Sequence, residues 1–269
     1  MSRLDQLFEA TRAEGRAALV GYLPAGFPTV EGSRRVLSAM LDAGCDLVEV
    51  GVPYSDPVMD GPTIQAAAEG ALRNGFRLRD LFSVVETVAS AGGHAVVMTY
   101  WNPVFRYGVD AFARDLASAG GLGLITPDLI PDEAEDWLAA STEHGLDRIF
   151  LVAPSSTEER IAMTAAASSG FLYAASTMGV TGARDAVSNA APELVARVRA
   201  HTDLPVGVGL GVRSGAQAAE VAGFADAVIV GSAFVSQVAR DPGDGGEAAV
   251  RALAAELAEG VRRRVAATG

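Results

Sequence analysis

Short apolar runs alternate along the chain with amphipathic stretches. Eight apolar runs are predicted strands, at 17–22, 47–52, 95–100, 122–126, 148–153, 171–176, 206–211 and 227–231. Their residues are almost continuously apolar instead of alternating with polar ones. This pattern is typical of parallel strands that helices cover on both faces.

A predicted helical stretch follows each predicted strand. The eight stretches lie near 30–43, 62–91, 109–119, 131–144, 157–169, 190–201, 214–222 and 246–265, and further helices are predicted at 2–14 and 232–239. Eight strand-and-helix units without a linker between them predict an α/β fold, namely a single (β/α)8 TIM barrel with extra helices. The barrel is predicted to form one catalytic domain over 1–269. The alternative, an open doubly wound sheet, would carry a glycine-rich phosphate turn after the first strand. That strand leads instead into the segment 24–28, Pro-Ala-Gly-Phe-Pro.

Composition narrows the classes of partner. The net charge of −12 argues against nucleic acid, because phosphate backbones require a basic surface. No apolar run approaches the roughly 18–20 residues that span a membrane, and the first residues read as a helix, not a signal peptide. The single Cys45 cannot form an internal disulfide. We therefore expect a cytoplasmic protein that acts on a small molecule.

The chain contains no lysine, since all 21 basic residues are arginine. A Schiff base with a substrate or with pyridoxal phosphate needs a lysine amine, so this chain can form neither. Its three histidines, His94, His144 and His201, lie about fifty residues apart, without the spacing of metal ligands. We predict no metal and no cofactor in this chain. Its chemistry must then depend on carboxylates, hydroxyls and backbone dipoles.

Two carboxylates stand where a barrel has its active site, at the carboxyl ends of the strands. Glu49 interrupts the apolar second strand near its end, where loss of water should raise its pKa; a structural ion pair with an arginine is the alternative. The loop that follows contains Asp56 and Asp60, each of which could instead form a turn or cap the helix that begins at Pro62. A second carboxylate close to Glu49 would supply two acid–base groups with different pKa values.

Glycines after the last strands predict a phosphate site. The segment 207–214 contains Gly207, Gly209 and Gly211, and Gly231-Ser232 opens a short helix after the eighth strand. Loops at these two places, with backbone N–H groups at a helix start, form the recurrent phosphate site of barrels. The small residues of 176–183, after the sixth strand, suit either a lid or a passive connection.

The segment 46–65, which reads DLVEVGVPYSDPVMDGPTIQ, resembles the signature of the tryptophan synthase α subunit family. The likeness continues in order through 98–103, 127–131, 153–154, 178–182, 209–212 and 231–232, and so covers nearly the whole chain. It implies retro-aldol cleavage of indole-3-glycerol phosphate to indole and glyceraldehyde 3-phosphate, without metal or organic cofactor. The departures are slight: Met59 and Arg213 stand where smaller residues are common.

The resemblance also implies roles for individual residues. Glu49 would protonate indole C3 and accept the proton of the adjacent side-chain hydroxyl, Asp60 would stabilise the positive indole N–H, and Thr181 would close over Asp60. The indole pocket would be formed by Tyr22, Tyr100, Ile125, Tyr173 and Ile229, with the phosphate held by amides of Gly182, Gly211, Gly231 and Ser232.

Members of the family usually pair with a β subunit that carries pyridoxal phosphate, in an α2β2 heterotetramer. Asp56 and Gly179 would lie at that interface. Two alternatives remain open at this point: a free-standing indole-3-glycerol phosphate lyase, and a non-catalytic phosphate-binding barrel.

Overall fold

The strands form one sheet in the computed structural model, which describes residues 1–175, 190–209 and 211–263. Nine strands occur in these ranges: β1 (Ala18–Pro24), β2 (Leu47–Gly51), β3 (Ala95–Met98), β4 (Gly123–Ile125), β5 (Asp147–Ile149), β6 (Leu151–Val152), β7 (Leu172–Ala175), β8 (Val206–Gly209) and β9 (Ala227–Val230). All the pairings between neighbouring strands are parallel.

The sheet closes into a barrel. Its strand order is β5-β4-β3-β2-β1-β9-β8-β7-β6, so β5 and β6 stand at the two ends. These two are successive pieces of the one strand predicted at 148–153, interrupted only at the buried Phe150. The ends of the sheet therefore meet in a single stretch of chain, and the predicted TIM barrel is confirmed.

Twelve α-helices surround the strands in the described ranges: α1 (Arg3–Ala13), α2 (Val30–Asp42), α3 (Pro62–Arg73), α4 (Leu78–Ser90), α5 (Trp101–Tyr107), α6 (Val109–Ser118), α7 (Glu135–His144), α8 (Glu158–Ala167), α9 (Ala190–Arg199), α10 (Gly215–Ala222), α11 (Ser232–Arg240) and α12 (Asp244–Arg262). The single stretch predicted at 62–91 is two helices, because Gly75 follows α3 with a φ of +91° and turns the chain. The pattern did not predict α5. A 3-10 turn at Pro131–Glu133 precedes α7.

Alternate residues of the strands face two separate cores. Leu47 belongs to the cluster inside the barrel, whereas Val48 and Val50 pack outward against the helices. Helix α1 closes the amino-terminal end of the barrel, where Phe8 packs on Phe171 with ring centroids 5.6 Å apart. The carboxyl ends of the strands, where a barrel has its active site, are at the opposite end. None of the described helices combines the length and apolar character of a membrane span.

Candidate active site

Glu49 lies inside the barrel and has almost no contact with solvent. It follows Leu47 by two residues in β2 and so points to the same side, and only 1% of its surface is exposed. No described residue forms a hydrogen bond with its Oε1. Burial raises the pKa of Glu49 to about 8. The predicted loss of water is confirmed, and the structural ion pair is absent among the described residues.

Tyr22 lies opposite Glu49 in the register of β1 and β2. Its ring passes over Gly51, where an added Cβ would stand 2.4 Å from the phenolic oxygen, so only glycine leaves room. Burial raises the pKa of Tyr22, and the negative charges of Asp60 and Glu49 add to this effect. The phenol therefore lies within the electrostatic field of both carboxylates.

Asp60 approaches this site from the loop between β2 and α3. Tyr100 donates a hydrogen bond of 3.1 Å to its Oδ1, and the Tyr100 oxygen accepts one of 3.0 Å from the Met59 N–H. Burial raises the pKa of Asp60, while the Tyr100 hydrogen bond opposes this increase. The cap of α3 is Gly61, without a side-chain hydrogen bond, so the carboxylate of Asp60 is not used as a cap.

Apolar and aromatic side chains enclose the space around Glu49. Ile125 and Ile229 are buried in the inner cluster, and Tyr173 packs against it. Burial and the negative charge of Glu49 raise the pKa of Tyr173, whose hydroxyl would stand 2.5 Å from a Cβ placed on Gly209. The structure thus brings Tyr22, Ile125, Tyr173 and Ile229 together in the barrel with Glu49.

The start of α11 fits the predicted phosphate site. Gly231 is the residue before the helix and Ser232 the first residue in it, and no side chain caps this end. The first N–H groups of a helix have no partner within it and favour an anion. Gly211 has a φ of +71°, a turn that suits glycine. The predicted residues Thr181, Gly182 and Gly179 lie outside the described residues.

The segments that follow β2, β3 and β4 are connected by hydrogen bonds at the same end of the barrel. The Asn102 side chain donates to the Tyr54 hydroxyl at 3.0 Å, and the Trp101 N–H donates to Asp128 Oδ1 at 2.9 Å. Asp56 is exposed and accepts a hydrogen bond from Ser55. The sequence pattern does not indicate a role for Tyr54 or Asp128, because each lies far along the chain from the residue with which it forms a hydrogen bond.

A possible metal-ligand group occurs elsewhere in the described part of the chain. Asp110, Glu143 and His144 place their ligand atoms within 4.8 Å of one another on the surface of α6 and α7. None of the three belongs to the site around Glu49. The prediction of a metal-free reaction stays a prediction.

Comparisons with known proteins agree with this architecture. The family model of the tryptophan synthase alpha chain matches residues 8–263. A tryptophan synthase alpha chain from Mycobacterium intracellulare is 68% identical over 267 residues, 99% of this chain and 97% of the relative. A solved structure of tryptophan synthase from Mycobacterium tuberculosis has 66% identity and a TM-score of 0.92, over 97% of this chain and 98% of that one.

The likeness extends to a distant relative. The structure of a mutant tryptophan synthase alpha subunit from the hyperthermophile Pyrococcus furiosus has 31% identity and a TM-score of 0.83, over 90% of this chain and 98% of that chain. The resemblance inferred from the sequence motifs is confirmed. This chain belongs to the tryptophan synthase alpha chain family.

Proposed function

We propose that Glu49 and Asp60 are the acid–base pair with which this barrel cleaves indole-3-glycerol phosphate. As a member of the tryptophan synthase alpha chain family, the protein is a carbon–carbon lyase of tryptophan biosynthesis. The residue assignment depends on the burial of Glu49 and on its raised pKa. Glu49 is a buried carboxyl with a pKa of about 8, and is therefore protonated at neutral pH inside an apolar barrel.

The reaction begins with Glu49 as an acid. Its carboxyl gives a proton to C3 of the indole ring, which becomes tetrahedral while positive charge develops at the ring nitrogen. Glu49, now a carboxylate, takes the proton of the hydroxyl on the first side-chain carbon. That carbon becomes the aldehyde carbon as its bond to C3 breaks, and the electron pair returns to the ring. Indole and glyceraldehyde 3-phosphate are released, and Glu49 regains its proton.

Asp60 stabilises the positive intermediate. A carboxylate beside the indole N–H lowers the energy of the protonated ring, provided that it is itself ionised. The Tyr100 hydrogen bond to Oδ1 favours the ionised form and opposes the effect of burial. The two carboxyl groups thus take opposite roles. Asp60 accepts a hydrogen bond that favours its ionised form, whereas Glu49 Oε1 accepts none from a described residue, which favours the protonated form.

The two ends of the substrate match two parts of the site. Tyr173, Ile125 and Ile229 of the inner cluster give an apolar surface for the indole ring, and the buried ring of Tyr22 lies opposite Glu49 in the strand register. The uncapped start of α11 at Gly231 and Ser232 binds the phosphate through backbone N–H groups, together with Gly211 and Gly182. Thr181 closes over Asp60 in this proposal.

The mechanism uses only side chains of this chain and no cofactor. The proton transfers need Glu49 and a carboxylate, and the chain has no lysine for imine chemistry. Activity is therefore expected to survive dialysis against EDTA. A lasting loss of activity after chelation would contradict this part of the proposal.

A β subunit is the proposed partner, in an α2β2 assembly. Exposed apolar side chains stand in the loops after β2 and β4: Val58 is 76% exposed and Ile130 is 41% exposed. Asp56 is exposed in the loop after β2, and we propose that Gly179 contributes to the same interface. Exposed apolar surface around a site entrance is typical of a protein interface. Indole leaving this entrance would pass directly to an enzyme that consumes it.

The decisive experiment is an indole-release assay on Glu49→Gln and Asp60→Asn, with Glu69→Gln on the exposed face of α3 as the matched control. We expect each site variant to lose about 10²–10⁴-fold in kcat, the usual worth of acid–base catalysis, while substrate binding is kept. The control should retain wild-type turnover. Turnover within threefold of wild type for both site variants would refute the assignment.

The same assay separates the remaining candidates. Strong acceleration of indole release by an added β subunit is expected for the alpha subunit of a complex. A free-standing lyase would show full turnover alone and no response to the partner. A non-catalytic barrel would bind phosphate but leave indole-3-glycerol phosphate intact.

A further inference from the structure

A cavity of about 920 Å³ lies outside the barrel, between α3 and α11. It is distinct from the space around Glu49, since none of its lining residues comes from the inner cluster. Its volume is within the range of about 300–1,000 Å³ typical of sites for small organic ligands. The cavity is therefore large enough to hold a molecule of two or three rings.

Small and apolar side chains form most of this cavity. Ala66, Ala67 and Gly70 line it from α3, and Phe27 and Pro28 line it from the loop after β1. A Cβ placed on Gly70 would stand 3.9 Å from the Phe27 ring, an ordinary contact. Because Gly70 lines the cavity and its Cβ position is unobstructed, a larger side chain there is expected to occupy part of the cavity.

The charged residues that line the cavity are two arginines, Arg35 and Arg240, and no carboxylate is among its lining residues. This is unusual in a chain with 33 acidic and 21 basic residues. Arg35 Nε lies 3.7 Å from Glu247. Arg240 is exposed at the end of α11, and its side chain forms no ion pair or hydrogen bond with a described residue. Its guanidinium is free to bind an anion.

We propose that this cavity binds a small organic anion with an apolar body, such as an aromatic carboxylate or sulfonate. The apolar part packs on Phe27, Ala66 and Ala67, and the negative group pairs with Arg240. The two arginines select an anion over a cation, and the apolar part of the lining selects an organic anion over a bare phosphate. A bare phosphate would leave the apolar wall uncovered.

A ligand in this cavity should change the position of residues at the catalytic site, an inference that depends on the function proposed above. Helix α3 begins at Pro62, two residues after Asp60, and α11 begins at Ser232. A ligand between the two helices contacts both α3, which Asp60 closely precedes, and α11, which begins at the proposed phosphate site. Because α3 and α11 also pack on each other, a wedge between them shifts the starts of both helices.

The probe is 8-anilinonaphthalene-1-sulfonate, an aromatic anion of the proposed class, titrated calorimetrically into the full chain. We expect one site. Gly70→Leu, which fills the cavity, should weaken binding more than tenfold, and Arg240→Gln should weaken it about fivefold, as for loss of a partly exposed charge pair. Arg240→Lys should restore part of the affinity. Arg114→Gln removes the same charge from an exposed position on α6 and should leave binding within twofold.

Two results would overturn the proposal. Equal affinity of the wild type and Gly70→Leu would place the probe elsewhere. The coupling predicts that saturating probe changes KM or kcat for indole-3-glycerol phosphate at least twofold in the wild type, and that Gly70→Leu abolishes this change. Unchanged KM and kcat in the wild type would refute the coupling. If the catalytic assignment is wrong, Glu49→Gln will show full turnover. That result would not alter the binding titration, so the two proposals can fail independently.

Discussion

The Tyr100 hydroxyl holds two consecutive residues of the catalytic loop, since it donates to Asp60 Oδ1 at 3.1 Å and accepts from the Met59 N–H at 3.0 Å. One phenol thereby fixes both the backbone beside Asp60 and its carboxylate. Tyr100 is buried just before α5, two residues after β3, and burial raises its pKa to about 12, so it stays a donor throughout the working pH range. The position and ionisation of Asp60 both depend on it.

Tyr100→Phe should therefore raise the pKa of Asp60, because the hydrogen bond that favours the carboxylate is lost. The acidic limb of the kcat/KM profile should move to higher pH, and activity at pH 6 should fall about tenfold, the value of a hydrogen bond to a charged group. Tyr107→Phe is the matched control, since its hydroxyl donates to Asp115 away from the site. An unshifted profile in Tyr100→Phe would show that Asp60 ionises independently of the phenol.

Burial of Glu49 should make the protein less stable as pH rises. The folded-state pKa of about 8 exceeds the ordinary value of 4.5, so the folded state holds this proton after the unfolded state has released it. The contribution to stability is thus fully present below pH 4.5 and declines up to pH 8. At about 1.4 kcal/mol per pKa unit, the decline is on the order of a few kcal/mol.

Glu49→Gln removes this titration. In urea unfolding, the free energy of unfolding of the variant relative to wild type should increase between pH 5 and pH 9. Glu69→Gln, on the surface of α3, serves as the control and should follow the wild type at both pH values. A constant difference between Glu49→Gln and wild type would mean that Glu49 is not protonated in the folded protein.

Ser232→Glu places a negative charge at the start of α11, where the phosphate is proposed to bind. Repulsion of the phosphate should raise the KM for indole-3-glycerol phosphate at least tenfold, equivalent to about 1.4 kcal/mol, with a smaller effect on kcat. Gln237→Glu adds the same charge further along the helix and should change KM by less than threefold. Similar KM values in the two variants would argue against phosphate at this end of α11.

Gly51→Ala should disturb both the fold and the reaction. The new methyl group would lie 2.4 Å from the Tyr22 hydroxyl oxygen, so the ring must move away from Glu49. Overpacking of this kind costs about 1–3 kcal/mol, and thermal unfolding should record it. The double variant Gly51→Ala, Tyr22→Leu should recover most of the stability. Gly70→Ala, with its Cβ in ordinary contact, is the control and should be no less stable than wild type.

The sequence by itself determined the barrel, because strand and helix signals are local. Eight apolar runs with amphipathic stretches between them are enough to predict strands, helices and their parallel arrangement. It also located Glu49, since a carboxylate within an apolar strand is conspicuous in a one-dimensional pattern. The break of 62–91 into α3 and α4 was missed, because a single Asn-Gly pair within a long helical pattern gives only a weak signal.

Only the tertiary structure decided which groups act on one another. Tyr22 lies opposite Glu49 by strand register, and Tyr100 reaches Asp60 across forty positions of the chain. The pKa of Glu49 depends on how completely the barrel excludes water, which no local pattern specifies. The cavity between α3 and α11 likewise depends on how two distant helices pack. Contacts between residues far apart in sequence, and the loss of water that they cause, are properties of the folded chain alone.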